Sequence, residues 1–319
     1  MGCGIVPPSL ILPLIDLNPA RLHEAFGLPD AAAELIHPFT DRVDVRHRAA
    51  TTAERDAYIL EMLGMIRSPF IERSEDENRA AWQRGWQQNL DEARAAGFAP
   101  HTLRPKYFRG HHILRWQGDV LVCENPQIEY DLFVLARRLL FGTYLEGLET
   151  IYEVGCGSSN NLWLLSELFP KARIVGLDWV EPAVQLATEL GQATGRRIEG
   201  RRFDMMNPDA AFTPEPGAGI VTIHALEQIG DRHGALLDWL EAAKPAVVLN
   251  YEPILEFYDR ANLIDVLALW YSERRRYLTG FWTEIAARRD AGRVEVLAAH
   301  RPGLGGVFHE ASVIAWRGR

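Results

Sequence analysis

Tyr152-Glu153-Val154-Gly155-Cys156-Gly157-Ser158-Ser159-Asn160-Asn161-Leu162 reads as a buried strand that runs through a glycine-rich turn straight into a helix. Glycines at 155 and 157 let the backbone approach a ligand closely, and the helix N-terminus that follows offers unpaired N–H groups. Outward from this turn, strand-like apolar runs at 150–154, 173–177, 197–203, 220–224 and 246–250 alternate with helical stretches at 162–168, 182–190 and 235–242. Such alternation predicts parallel crossovers, hence an α/β sheet covered on both faces. The chain ends differently. Residues 294–300 and 307–316 flank Pro302-Gly303-Leu304-Gly305-Gly306, which predicts two antiparallel strands joined by a glycine-rich turn.

Two carboxylates point to what the turn would bind. Asp178 closes the strand Ile174-Val175-Gly176-Leu177-Asp178, 23 positions after Gly155. An acid at about that distance accepts hydrogen bonds from ribose hydroxyls in Rossmann-type sheets. Asp204 follows the third apolar run, where a carboxylate can reach the exocyclic amine of an adenine. Its simpler role is a helix cap or solvated loop residue before Pro208.

With these elements together, residues 145–319 resemble the class I S-adenosylmethionine-dependent methyltransferases. Glu153-Val154-Gly155-Cys156-Gly157 matches the family's first motif, an acid followed by x-G-x-G. The resemblance implies S-adenosylmethionine as cofactor, with Gly155, Cys156, Gly157 and Asn160 around it and Glu153 near its methionine end. Leu177-Asp178-Trp179 matches the second-strand motif, which implies Asp178 at the ribose and Trp179 against the adenine. Phe203-Asp204-Met205 matches the adenine-reading motif, and His224-Ala225-Leu226-Glu227-Gln228 the end of the fourth strand, which faces cofactor and acceptor. The implied fold is a seven-stranded, mostly parallel Rossmann-like sheet closed by an antiparallel C-terminal hairpin. Ser159 departs from the pattern, because many members carry a third glycine there. A nicotinamide site would require G-x-G-x-x-G, which Asn160 leaves incomplete. An acid two residues before the first glycine also suits a sulfonium cation better than a pyrophosphate.

The first hundred residues match nothing in that pattern and read as mainly helical. Thr51 with Glu54 and Ser74 with Glu77 have capping-box spacing, which predicts helices over 52–67 and 75–96. The stretch 105–124 alternates around Gly110 and Gly118 as short strands or a hairpin. Asn125-Pro126 then opens a helix to about Tyr144.

Net charge is -9 and no long basic run occurs, which argues against a nucleic-acid partner. Arg274-Arg275-Arg276 is short and reads as a solvated helix face. Cys3, Cys123 and Cys156 are too few and too scattered for a disulfide framework or a structural zinc site, and they suit a reducing cytoplasm. No segment reaches the ~18 apolar residues of a membrane span. Residues 1–6 lack a basic signal region, the apolar stretch 10–17 is broken by Pro13 and Asp16, and Val6 departs from the myristoylation pattern. These features predict a cytoplasmic protein.

On the acceptor side, strand C-terminal ends line the ligand crevice of open α/β sheets. That makes His224 and Glu227 candidates for a base or an orienting pair, and Glu252 a candidate substrate or metal contact. Their plain alternatives are a filled strand end and a helix cap. Trp270, Tyr271, Tyr277, Phe281 and Trp282 read as core packing or, alternatively, as a substrate wall. Arg109, His111 and His112 are candidate lid residues, of which at most one histidine faces a site. No spacing indicates a metal site.

The sequence thus predicts an N-terminal region over 1–110 that covers a substrate or serves interaction, a connecting hairpin and helix over 111–145, and a methyltransferase domain over 146–319. The reaction it implies is methyl transfer to O, N or C of a small or medium-sized metabolite. The rival readings are a catalytically silent S-adenosylmethionine-binding protein with an interaction module and a nucleotide-dependent oxidoreductase. Oligomeric state is left open.

Overall fold

Two complete capping boxes start the first long helices. Thr51 Oγ1 accepts the Glu54 N–H while the Glu54 carboxylate accepts the Thr51 N–H, and Ser74 and Glu77 do the same. The computed structural model describes residues 15–16, 19–28, 36–72 and 74–319. Cys3 and the start of the chain, on which the signal and acylation readings rest, lie outside the described residues, as does most of 10–17.

The chain begins with β1 (Ile15–Asp16), α1 (Pro19–Phe26), α2 (His37–Thr40) and β2 (Arg46–Ala49). The two capped helices follow as α3 (Thr52–Ile66) and α4 (Glu75–Ala95). Next come the hairpin β3 (Ile113–Trp116) and β4 (Asp119–Cys123), joined by Gln117-Gly118 with φ of 48° and 87°, both in the region that two-residue hairpin turns require. The Asn125 side chain accepts the Gln127 N–H at 2.8 Å, and α5 (Ile128–Tyr144) begins just beyond.

From here the strand–helix alternation holds: β5 (Thr150–Val154), α6 (Asn160–Leu168), β6 (Arg173–Asp178), α7 (Glu181–Thr194), β7 (Ile198–Arg202), β8 (Gly219–Ile223), α8 (Gly234–Ala243) and β9 (Val247–Glu252). Helices α9 (Leu263–Arg275) and α10 (Phe281–Asp290) lead to β10 (Val294–His300), β11 (Leu304–Gly305) and β12 (Ser312–Gly318). The seven-stranded sheet has the order β10-β12-β9-β8-β5-β6-β7. Strands β5 to β9 are parallel, and β12 pairs antiparallel with β9 and with β10.

Alternate strand residues serve two cores, as the period of two requires. Ile151, Ile174, Val221 and Leu249 face α5, α6 and the N-terminal part. Tyr152, Val175, Ile220 and Val248 face α8 and α10 on the other side. Every residue of β5, β8 and β9 is buried, which is why these strands read as unbroken apolar runs.

The hairpin turn at 302–306 does more than reverse the chain. It contributes β11 to a second, antiparallel sheet of order β1-β2-β4-β3-β11, so the N-terminal part carries strands in addition to its helices. A buried ion cluster sits at this seam. Arg115 of β3 pairs with Asp265 of α9 and, at 3.0 Å, with Glu310, while Arg301 bonds the same two carboxylates. Two cations on two anions leave the cluster neutral, which is how charges become tolerable at this depth. Among the described residues no helix is long and apolar enough to cross a membrane.

Candidate active site

The parallel strands end along one edge, and the order in which they are laid down switches sides between β5 and its parallel neighbour β8. The chain moves from β5 out to β6 and β7, then returns to β8 and moves the other way to β9. At such a switch point the loops leave in opposite directions and open a crevice. The Gly155–Gly157 turn, Asp178, Asp204, His224 and Glu252 all lie on this edge, since each stands at or just after the C-terminal end of a parallel strand. The turn is tight. A Cβ at Gly155 would fall 2.5 Å from the Ala225 side chain, and one at Gly157 would fall 2.7 Å from the Trp86 ring.

Two adjoining cavities occupy the crevice. The first, about 880 Å³ with the solvent at its open mouth included, is lined by Gly155, Asp178, Trp179, Asp204, Met205 and residues of α4. The second, about 1470 Å³ on the same measure, extends over Gly157, Asn160 and Asn161 toward Phe133, Tyr251, Tyr271 and His309. Trp82, Trp86, Gly155, His224 and Gln228 line both.

Helix α4 forms the cover of the first cavity, a role the motifs gave no hint of. Trp82 and Trp86 stack with ring centroids 5.4 Å apart, and the Arg79 guanidinium lies 4.9 Å from the centre of the Trp179 ring. Asn78, Arg79, Trp82 and Trp86 recur at helical spacing, so a one-sided aromatic stripe was available in the sequence. The far half of α4 is held by Leu90 and Ala93 in the core and by Arg94 on Glu189 of α7.

Asp178 is almost wholly buried, and its two oxygens accept the Gly157 N–H at 3.0 Å and the Val180 N–H at 2.9 Å. Burial pushes its carboxyl up to about 6 against these backbone donors. Asp204 is half-buried and accepts the Met206 N–H at 2.9 Å and the Asn207 side-chain amide at 3.1 Å. Trp179 and Met205 line the cleft beside them.

Two residues of the expected set, Glu153 and Glu252, line neither cavity, and Cys156 lines the second. Glu153 is fully buried beneath the turn, where it accepts the Asn161 amide, and it lines neither cavity. Burial raises its carboxyl to about 8, opposed by Asn161 and by the buried Arg137. Arg137 also donates to the side-chain oxygens of Asn160, at 2.7 Å, and Asn161, so it orders the start of α6. Glu252 is fully buried as well. It accepts the Ala225 N–H at 3.0 Å, and burial pushes it up to about 7, which makes it a brace for the corner after β8 rather than a cavity residue. The Cys156 thiol points down, since a Cβ on Gly176 of β6 would fall 2.8 Å from its sulfur. A strand-end acid gives no sign in the sequence of which way its carboxylate turns.

His224 stands where the two cavities meet. Its φ is 50°, a left-handed conformation that costs energy for any residue with a Cβ. Its Nδ1 lies 3.6 Å from Glu227 Oε2, and the His309 Nε2 lies 4.0 Å from the same oxygen. Burial lowers the His224 pKa, but the Glu227 carboxylate, helped by Glu252 and Glu129, outweighs it and the net shift is upward. Glu227 is held below its usual range because His309 and His224 outweigh its burial, and Gln228 donates to it at 2.9 Å.

The aromatic segment divides. Tyr271 and Tyr277 wall the second cavity, Phe281 is core, and Trp270 is exposed. Of the expected solvated arginines, Arg274 and Arg275 instead bond the Ile66 and Ile71 carbonyls at 2.7 and 2.9 Å. His111 bonds Glu129 and His112 the Cys123 carbonyl, both at 2.8 Å, and neither histidine lines a cavity. Among the described residues no three His, Cys, Asp or Glu side chains are grouped to hold a metal ion.

No family model and no curated protein matches the sequence. Among solved structures, the chain is similar to an O-methyltransferase family 2 protein from Planctomyces limnophilus in complex with apigenin, at 15% identity over 56% of this chain and 52% of that one, with a TM-score of 0.40. It is similar to an O-methyltransferase from neocarzinostatin biosynthesis in complex with S-adenosylmethionine and 2-hydroxy-5-methyl naphthoic acid, at 17% over 60% and 57%, TM-score 0.41. Human N-acetylserotonin methyltransferase in complex with S-adenosylmethionine is similar at 14% over 90% and 70%, TM-score 0.48. The chain spans little more than half the length of the first two, 52% and 57%. The fold follows from the chain's own strand order. Five parallel strands in this order, with one antiparallel strand inserted before the edge, make the Rossmann-like methyltransferase fold.

Proposed function

We propose that the protein binds S-adenosylmethionine in the first cavity and transfers its methyl group to a small acceptor held in the second. The observation that carries this reading is the meeting of the two cavities at His224, beside the Gly155 turn. The first cavity suits a nucleoside. Trp179 and Met205 offer apolar faces for a base, and Asp178 and Asp204 offer acceptors for hydroxyl and amine donors. Asp178 keeps lone pairs beyond the two that take backbone N–H groups.

When bound, S-adenosylmethionine supplies a methyl group already activated by a sulfonium, so the protein's task is alignment and proton management. The α4 tryptophans exclude water where the cavities join. His224, in its neutral form, takes the proton of an acceptor hydroxyl or amine, and Glu227 stabilises the resulting imidazolium. His309 lies 4.0 Å from Glu227 Oε2, and Gln228 donates to Oε1 at 2.9 Å. Glu252 braces the Ala225 N–H and thereby the strained corner on which His224 rides.

Gly157→Val tests the reading. A branched side chain at φ 45° collides with Trp86 of the α4 cover, and calorimetry should detect no S-adenosylhomocysteine binding by a variant whose circular dichroism is unchanged. Unaltered affinity in that folded variant removes the proposal's main support. Binding by the wild type without turnover of any acceptor in a cell extract would favour a silent binding protein instead.

A further inference from the structure

The second cavity has one wall that methyl transfer leaves unused. Among the described residues lining it, Arg275 is the one permanent cation. It is half-buried, its Nε donates to the Tyr277 hydroxyl at 3.2 Å, and its Nη1 donates to the Ile71 carbonyl at 2.9 Å. Both partners are neutral. The cavity's two carboxylates have partners of their own: Glu129 bonds His111 at 2.8 Å, and Glu227 accepts from the Gln228 amide at 2.9 Å with the His224 and His309 rings beside it. The neighbouring Arg274 is likewise matched, by Glu72 at 2.8 Å. A guanidinium fixed by neutral partners at a cavity wall carries an unbalanced charge, and an anion entering the cavity supplies the missing partner through charge-assisted hydrogen bonds.

The route from Arg275 to the proposed reacting corner is continuous. The guanidinium carbon lies 5.2 Å from the Tyr277 ring centre, and the Tyr277 ring lies 5.7 Å from that of His309. His309 lies 4.0 Å from Glu227, which neighbours His224. The walls along this route are rings from three parts of the chain: Phe108 and Phe133 from the N-terminal side, Tyr251 from β9, and Tyr271 and Tyr277 from α9 and its end. Such rings suit the faces of a flat body.

We infer that the acceptor is a planar organic anion, with its carboxylate or a similar acidic group on Arg275 and its methyl-accepting hydroxyl at His224. This rests on the methyl-transfer reading and adds the substrate's charge and polarity along the cavity.

The test uses a matched pair, 6-hydroxy-2-naphthoate and its carboxamide, titrated by calorimetry into full-length protein saturated with S-adenosylhomocysteine. The acid should bind about tenfold tighter than the amide, the scale of one hydrogen bond to a charged group. Arg275→Gln should bring the ratio close to one, and Arg275→Lys should retain part of the preference. Should Arg275→Gln fail to fold, the wild-type ratio and the lysine variant decide. Equal wild-type affinity for both probes, a preference undiminished in Arg275→Gln, or binding of neither probe by the S-adenosylhomocysteine complex overturns the inference while leaving methyl transfer standing. Failure of S-adenosylhomocysteine itself to bind overturns both.

Discussion

The two sheets of this protein solve opposite problems. The seven-stranded sheet is buried on both faces, takes five of its strands in parallel and presents their ends as a rigid rim. The five-stranded sheet is antiparallel, includes strands of two residues at either edge, and borrows one of them from the C-terminal hairpin. The first carries the glycine turn and the strand-end acids. The second, with α4, encloses them. Separation of this kind lets the floor of a site stay fixed while its cover sets what enters.

If the chemistry belongs to the rim, the largest effect should come from His224. His224→Ala should lower turnover by about 10²–10⁴-fold and leave S-adenosylmethionine affinity nearly intact. The pH profile sharpens the point. A base must be neutral, and the His224 pKa is raised, so wild-type turnover should climb as pH rises through a value above the ordinary ~6.5 of histidine. Normal turnover in His224→Ala and in the His224→Ala/Glu227→Ala double variant would move the chemistry away from this corner.

The seam between the sheets comes next. Arg115→Met removes one cation from the buried cluster and leaves Asp265 and Glu310 with Arg301 alone. Loss of one partner from a buried set costs about 3–5 kcal/mol, which chemical denaturation should register. A loss below about 1 kcal/mol would mean that the two sheets are not energetically joined at this point.

Asp178→Ala should weaken cofactor binding by about 1.5–3 kcal/mol, equally for S-adenosylmethionine and S-adenosylhomocysteine, because both carry the same ribose. Its carboxyl is raised to about 6, and only the ionised form accepts both hydroxyl donors, so affinity should fall as pH drops through that value. A loss confined to one of the two ligands would place Asp178 at the sulfur end instead.

The difference between the sheets also explains what could be read from the residues. Runs such as Ile220-Val221-Thr222-Ile223 are legible because a doubly covered strand leaves no polar alternation to confuse. The α3 and α4 starts are legible because a capping box is local chemistry. Leu304-Gly305 is not, since a two-residue strand exists only through its partners Arg115 and Trp116. At the site, the glycine turn and the strand ends are legible because a strand–turn–helix pattern is local and marks where each parallel strand stops. The inward turn of Glu153 and Glu252 is not, because burial of a strand-end carboxylate depends on Asn161 and the Ala225 N–H, groups that only the folded chain brings near. Trp82 and Trp86 were overlooked because α4 is otherwise a polar helix.

The central claim is that the rim binds an S-adenosyl sulfur nucleoside. Calorimetric titration of the wild-type protein with S-adenosylhomocysteine and, separately, with NAD tests it most directly. The account predicts saturable one-to-one binding of S-adenosylhomocysteine and no heat of binding from NAD. Saturable NAD binding with no response to S-adenosylhomocysteine would contradict it.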